Sequence, residues 1–283
     1  MKNILLSLLF LLGTTQTFAQ LNLDLITDSI AQEGERLYRS ELAAWYGTDI
    51  FLERFKTLKE QSGGYLSYPN HGLYNCIFFS KGEAPKVLVT ISFDSTYNLE
   101  QAIIFGEERN FTEEEKMLYS IRKEALEEAN KQDSFVRFYE HCNLNLIPLV
   151  YRGQKKVYIL TGTSIEGIVL FGNDYLFTYG EDNQLLEKKR IHQNLIPVQL
   201  PSKDSSQQKV IAAFHNHLQA SGDFISATDI CTLLLYERVT DWQQYYVISE
   251  KYVSIWDCKK HLLTALTREA WDKIHNEETG TKQ

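Results

Sequence analysis

The sequence predicts a fold that mixes helices and strands, an α/β or α+β protein in which helices flank a mixed, largely antiparallel sheet. Stretches with helical spacing of apolar residues alternate with short runs of β-branched and aromatic residues, and Gly, Asn and Asp stand between the runs. The 283 residues are 43% hydrophobic and 23% charged, which is typical of a globular chain of one or two domains. The net charge of −8 argues against nucleic acid or an anionic membrane surface as a partner.

The first 19 residues have the features of an export signal. Lys2 is followed by a leucine-rich run that is shorter than the ~20 residues needed to span a bilayer, and small residues precede Gln20. We predict cleavage between Ala19 and Gln20, which leaves a periplasmic or secreted chain without a transmembrane segment. The alternative is an N-terminal core helix, but no polar face interrupts the leucines.

The four cysteines form no Cys-x-x-Cys pair, which argues against a cysteine-based zinc site. In an exported chain they are either small buried hydrophobes or the partners of a disulfide. The sequence leaves the pairing open for Cys76, Cys142, Cys231 and Cys258.

We predict a small α+β region of unknown role at residues 20–110. This region either faces a substrate or packs against the rest of the chain. Residues 29–55 have amphipathic helical spacing that is interrupted near Gly47, so we expect one or two helices. The β-branched and aromatic runs that follow predict a small antiparallel sheet with strands at 73–79, 86–93 and 100–105.

Residues 111–275 form the second predicted region, and a polar tail follows at 276–283. Thr112 and the three glutamates after it predict a helix start, with the helix reaching about residue 130. A meander of strands follows at 146–151, 156–161, 167–171, 175–179 and 184–191. After a polar connector at 201–208 we expect a strand at 210–214, a helix at 226–239, a hairpin at 245–256 and a helix at 262–274.

One group of residues in this second region has the chemistry of a metal site. His215 and His217 lie two apart at the end of an apolar strand, so period two places both imidazoles on one face. Ser226 and Asp229 follow at the start of a predicted helix. Two histidines and a carboxylate leave a fourth position open on tetrahedral zinc. Alternatively, Ser226 and Asp229 form only a helix-capping box.

These residues resemble the JAB/MPN (JAMM) zinc metalloproteases, whose motif is His-x-His, seven residues, then Ser-x-x-Asp. The Asn between the histidines and the later Ser-Gly-Asp are similar to the RadC-like branch. Eight residues rather than seven separate His217 from Ser226, and Leu218 stands where the family usually has Pro, so the loop must bulge. The resemblance covers about residues 144–262 and implies a JAB/MPN-like C-terminal domain.

The resemblance implies that His215, His217 and Asp229 hold zinc and that Ser226 assists the oxyanion. Glu166 is the candidate that activates the zinc-bound water, with Glu181 and Glu187 as alternatives, although Glu166 also fits a solvated turn residue. The implied function is an exported zinc hydrolase that cleaves an amide or isopeptide bond in a peptide or envelope substrate. The alternative is a metal-free, catalytically degenerate JAB-like protein with a binding or structural role in the cell envelope.

Overall fold

The computed structural model describes the backbone of residues 2–131, 133–200 and 210–280, and the side chains of residues 22–131, 133–200 and 210–276. This part of the chain is an α+β protein with four helices and four mostly antiparallel sheets, rather than one mixed sheet. The helices are α1 Lys2–Arg54, α2 Glu113–Ala129, α3 Ala227–Tyr236 and α4 Arg268–Gly280.

Three predicted segments fall wholly or partly outside the described residues, and one of them is the polar tail at 276–283, of which residues 281–283 are not described. The side chains of the predicted leader, residues 1–19, and the whole connector, residues 201–208, are not described, so export stays a prediction. A search of the described residues finds no helix with the length and hydropathy needed to cross a membrane.

The first sheet is an antiparallel meander in the order β1-β2-β3-β4. Its last three strands were expected, whereas the first, which is rich in Gly, Ser and Tyr, was not. The hairpin between β1 and β2 has a two-residue turn at His71 and Gly72, and both residues have positive φ. Positive φ at both positions gives the turn a twist that matches the twist of the two strands. The strands are β1 Ser62–Asn70, β2 Leu73–Ser80, β3 Val87–Phe93 and β4 Ile103–Phe105.

The second sheet has the order β5-β6-β8-β9, because the strand between β6 and β8 leaves it. That strand, β7, pairs with β10 in a separate two-stranded sheet, so the predicted continuous meander is wrong at this point. Hydrophobic patterns identify strands but not which strands become neighbours. The strands are β5 Cys142–Tyr151, β6 Gln154–Thr163, β7 Ile168–Gly172, β8 Tyr175–Tyr179, β9 Leu185–Arg190 and β10 Leu195–Gln199.

The last sheet contains one parallel pair, β11 with β12, which α3 connects as a crossover. The helix predicted at 262–274 is wrong in its first half, because β14 occupies that stretch and α4 begins at Arg268. Leu263 and Ala265 are buried alternately against β13, which is the period of a strand. The strands are β11 Ala212–Asn216, β12 Gln244–Ile248, β13 Tyr252–Asp257 and β14 Leu262–Thr267.

Helix α1 passes through Gly47 without the predicted interruption. A Cβ at Gly47 would lie 2.7 Å from both Cβ and Sγ of Cys76, so glycine lets the helix approach β2 closely. Gly34 has the same role against α3, where a Cβ would lie 2.7 Å from Cβ of Ile230. Helix α1 therefore packs against both halves of the chain.

The hydrophobic core is shared between the two predicted regions. Helix α2 lies between the first and second sheets and buries Leu118 and Ile121 against both of them. The same cluster includes Leu66 and Ile77 from the first sheet and Ile159 from the second. The boundary predicted near residue 110 thus falls beside a common core, and the division into two regions stays a prediction.

The four cysteines are free thiols, so no disulfide links the described strands. Cys76, Cys231 and Cys258 are buried, and Cys142 is half-buried. Burial raises the pKa of each thiol, and of the two alternatives left by the sequence these cysteines are small apolar residues.

Candidate metal centre

Three histidines and an aspartate from three separate segments meet between the second and last sheets. Each offers a nitrogen or carboxylate oxygen, and these four ligand atoms lie within 4.8 Å of one another. His192 comes from the loop between β9 and β10, His215 and His217 from β11 and its end, and Asp229 from the first turn of α3. All four side chains are at most 5% exposed. The group could hold a metal ion.

Strand geometry places two of the histidines. His215 is buried within β11, while Phe214 on the opposite face is 65% exposed. The backbone N–H of His217 donates to the carbonyl of Ile248 at 2.9 Å, which continues the pairing with β12 past the strand end. Period two therefore directs His215 and His217 to the same side, as the sequence predicted.

The first turn of α3 places the aspartate and confirms the capping box. The Asp229 N–H donates to Ser226 Oγ at 3.0 Å, and Asp229 Oδ2 accepts from the Ser226 N–H at 2.9 Å and its hydroxyl at 2.8 Å. The other oxygen, Oδ1, is buried with no hydrogen-bond partner among the described residues. Capping uses Oδ2 and leaves Oδ1 available to an ion.

Several of the ligand atoms lie about as far apart as neighbouring ligands of a tetrahedral zinc ion, while all four lie within 4.8 Å of one another. The Nε2 atom of His192 lies 2.8 Å from Nε2 of His217 and 3.5 Å from Oδ2 of Asp229. The Nε2 atom of His217 is also 3.5 Å from Oδ2, and Nε2 of His215 is 3.7 Å from Oδ1. Zinc bonds of about 2.0–2.1 Å in a tetrahedron place neighbouring ligands roughly 3.3 Å apart. The observed distances lie on either side of this value.

A second layer of hydrogen bonds orients the histidine rings. Asp174 Oδ1 lies 2.6 Å from Nδ1 of His192, and its other oxygen accepts from the hydroxyl of Thr228. The hydroxyl of Tyr245 lies 3.0 Å from Nδ1 of His215. In both rings a partner at Nδ1 leaves Nε2 directed at the common centre, as in metal sites whose histidines are held by carboxylates or hydroxyls.

Burial and charge set the protonation of the group. Burial lowers the pKa of His215 to about 4, so this imidazole is neutral. Burial alone would raise the pKa of Asp229, but His192 and His215 hold it well below its usual value. Burial lowers the pKa of His192, whereas Asp174 and Asp229 raise it and bring it to about 11. Binding of a cation would therefore release the His192 proton.

The predicted site residues fall into two groups. His215, His217 and Asp229 come together, and Ser226 contacts Asp229 as the helix N-cap. Glu166 is exposed in the loop between β6 and β7 and is not part of the cluster. The alternatives Glu181 and Glu187 are exposed as well and lie outside it. A catalytic role for any of them stays a prediction.

The sequence reasoning missed His192 and Asp174. His192 belongs to no short spacing motif, because 24 residues separate it from His217. Its position directly after a predicted strand was the one available signal, since His215 and His217 also stand at a strand end. Asp174 lies between the strands predicted at 167–171 and 175–179, where aspartate is common in turns for local reasons.

Comparisons with known proteins give no relative. No family model matches the chain, and neither a curated protein nor a solved structure is significantly similar to it. The JAB/MPN resemblance therefore rests on the sequence motifs alone and stays a prediction.

Proposed function

We propose that this chain is an exported zinc-binding protein, with a metal centre built from His192, His215, His217 and Asp229. Imidazole nitrogens with one carboxylate are ligands that zinc prefers, and hard cations such as Mg²⁺ and Ca²⁺ prefer all-oxygen sites. When bound, zinc would place a positive charge beside the buried carboxylate of Asp229.

One observation carries the proposal. Nε2 of His215 and Oδ1 of Asp229 are buried without a hydrogen-bond partner among the described residues, and they lie 3.7 Å apart facing the same point. An unsatisfied buried polar atom costs about 1–3 kcal/mol, and more when it is charged. A shared cation would satisfy both atoms at once.

A zinc hydrolase that cleaves an amide or isopeptide bond is the second candidate. His215, His217 and Asp229 are the two-histidine, one-carboxylate set that hydrolytic zinc uses. Beyond these ligands, the described carboxylate nearest the cluster is Asp174, which is committed to His192 and Thr228. Since Glu166 is exposed elsewhere, the geometry favours metal binding over hydrolysis.

Elemental analysis of the chain from Gln20, purified without chelator or histidine tag, tests the proposal. We expect about one zinc ion per chain in the wild type. His217→Ala and Asp229→Asn should lose it, whereas His275→Ala, which removes an exposed histidine on α4, should retain it.

Two results would overturn the proposal. Absence of zinc from the wild type after incubation with added metal would support the metal-free binding or structural role. Retention of stoichiometric zinc by both His217→Ala and Asp229→Asn would show that the ion binds elsewhere. Cleavage of amide or isopeptide substrates by the wild type, lost in both variants, would favour the hydrolase.

A further inference from the structure

We infer that His192 is a fourth protein ligand that closes the metal centre, so that the ion joins three segments of the chain and accepts no substrate. This inference rests on the proposed function. It differs from the open site that the His215, His217 and Asp229 motif implies, because a hydrolytic zinc keeps one of its four positions free.

The first argument is position. Nε2 of His192 lies within 3.5 Å of ligand atoms on both His217 and Asp229, so it stands where the fourth corner of the site must be. The His192 ring is 4.7 Å from that of His217 and 5.7 Å from that of His215, centre to centre. At 3% exposure the side chain also separates the cluster from solvent on its own side.

The second argument is orientation. Asp174 is buried and binds Nδ1 of His192 at 2.6 Å, which holds the ring with its Nε2 atom 2.8 Å from Nε2 of His217 in the cluster. Thr228, next to Asp229 on α3, donates to the same carboxylate. A contact of His192 with solvent or a transient partner would not require this chain of buried polar groups.

The third argument is the anchoring of the loop that carries His192. The N–H of Ile191 donates to the carbonyl of Asp174 at 2.9 Å, and the N–H of Asn173 donates to the carbonyl of Asn194 at 3.1 Å. A Cβ at Gly172 would lie 2.2 Å from that Asn194 oxygen, so the two loops are in close contact. Backbone hydrogen bonds therefore fix the loop on both sides of His192, which is expected of a residue that binds the ion permanently.

The consequence concerns the role of the ion. Four protein ligands in a closed site are typical of structural zinc, which stabilises the fold. Here the ion would link three separate segments of the chain: the β9–β10 loop, β11 and α3. Neither a substrate carbonyl nor a water molecule would have a coordination position.

Cobalt substitution tests closure with a readout that does not depend on activity. Azide serves as the probe, because it binds to an open position on Co²⁺ and changes the visible absorption spectrum. We expect the spectrum of the cobalt-loaded wild type to be unchanged by azide. His192→Ala removes a ligand, so it should weaken zinc binding by more than the roughly tenfold to hundredfold that the loss of an outer-shell partner costs. Its cobalt spectrum should respond to azide and to added imidazole.

Asp174→Asn is the matched variant, because it keeps all four ligands but weakens the hold on His192. It should lower zinc affinity by roughly tenfold or more and leave the cobalt spectrum insensitive to azide. The wild-type azide measurement needs no variant, so it decides the question even where His192→Ala does not fold.

The outcomes separate this inference from the proposed function. A wild type that binds no metal refutes both. A wild type that binds zinc, responds to azide as the cobalt form and keeps its affinity in His192→Ala refutes closure and leaves a zinc-binding centre of His215, His217 and Asp229. A response to azide that appears only in His192→Ala supports closure.

Discussion

Two buried carboxylates in this protein occupy the same position in the same local motif, yet their surroundings differ. Glu115 in α2 and Asp229 in α3 are each the third helical residue of a capping box, with Thr112 and Ser226 as the N-caps. Glu115 is fully paired: Arg109 contacts both of its oxygens at 2.7 Å, and the hydroxyl of Tyr68 donates at 2.5 Å.

Asp229 instead faces three histidines and keeps one oxygen without a hydrogen bond among the described residues. Burial would raise the pKa of Glu115, but its bonds to Arg109 and Tyr68 lower it. The capping motif is thus equally compatible with a structural ion pair and a candidate metal ligand. The neighbours that tertiary structure brings to the carboxylate decide between them.

The largest expected difference between Asp229 and Glu115 is in the effect of zinc on stability. With free zinc a thousandfold above its dissociation constant, the free energy of unfolding of the wild type should rise by about 4 kcal/mol, because the ion binds only the folded chain. Denaturant unfolding with zinc and with chelator measures it. Asp229→Asn is the control and should show no zinc-dependent increase; an equal increase in that variant would remove Asp229 from the metal centre.

Removal of the Glu115 partner should destabilise the protein independently of metal. Arg109→Ala leaves a fully buried carboxylate unpaired, and we expect a loss of about 3 kcal/mol, at the low end of the range because Arg109 is partly exposed. The loss should be equal with zinc and with chelator. The control Lys86→Ala breaks an exposed pair with Glu108 and should cost under about 1 kcal/mol. A loss of under about 1 kcal/mol in Arg109→Ala as well would show that Glu115 does not depend on Arg109 as its ion-pair partner.

A third buried carboxyl, Glu41 in α1, sharpens the comparison because it forms no ion pair among the described residues, and the charge of Arg122 lowers its pKa less than burial raises it. Asn145 donates to it at 3.0 Å, and burial raises its pKa to about 7. The folded state therefore binds the Glu41 proton more tightly than the unfolded state does. The resulting stabilisation is complete below about pH 4.5 and is lost as the pH rises through about 7.

Glu41→Gln should remove that pH dependence. Between pH 4.5 and 7.5 the wild type should lose about 3 kcal/mol relative to the variant, which is the free energy of a shift from 4.5 to about 7. Denaturant unfolding of both proteins across this range measures the difference. Parallel stability curves would show that Glu41 is ionised in the folded protein.

Replacement of the two N-cap residues should have the smallest effect on stability, and the two variants are closely matched. Thr112→Ala and Ser226→Ala should each cost about 1 kcal/mol, because each removes one hydrogen bond to a helix N–H. Only Ser226→Ala should also weaken zinc binding, by roughly tenfold, since it removes one of the two hydrogen bonds that hold Asp229 Oδ2. Equal zinc affinity in the two variants would show that capping does not position the ligand.

Local features could be predicted where local chemistry determines them. The capping boxes at Thr112 and Ser226, the β5–β6 turn at Arg152 and Gly153, and the common face of His215 and His217 all follow from short-range sterics and hydrogen bonding. The α+β class follows for the same reason. The errors at Gly47 and at β14 arose where packing overrode a local preference.

The sequence by itself determined the α+β character, most strands and three of the four clustered side chains. Tertiary structure alone decided that β7 leaves its neighbours to pair with β10, which brings the His192 loop beside α3. It also decided that Asp174 orients His192 and that Glu166 stays in solvent. The physical reason is that strand pairing depends on long-range packing of the whole core. No local spacing in the sequence encodes which strand ends will meet.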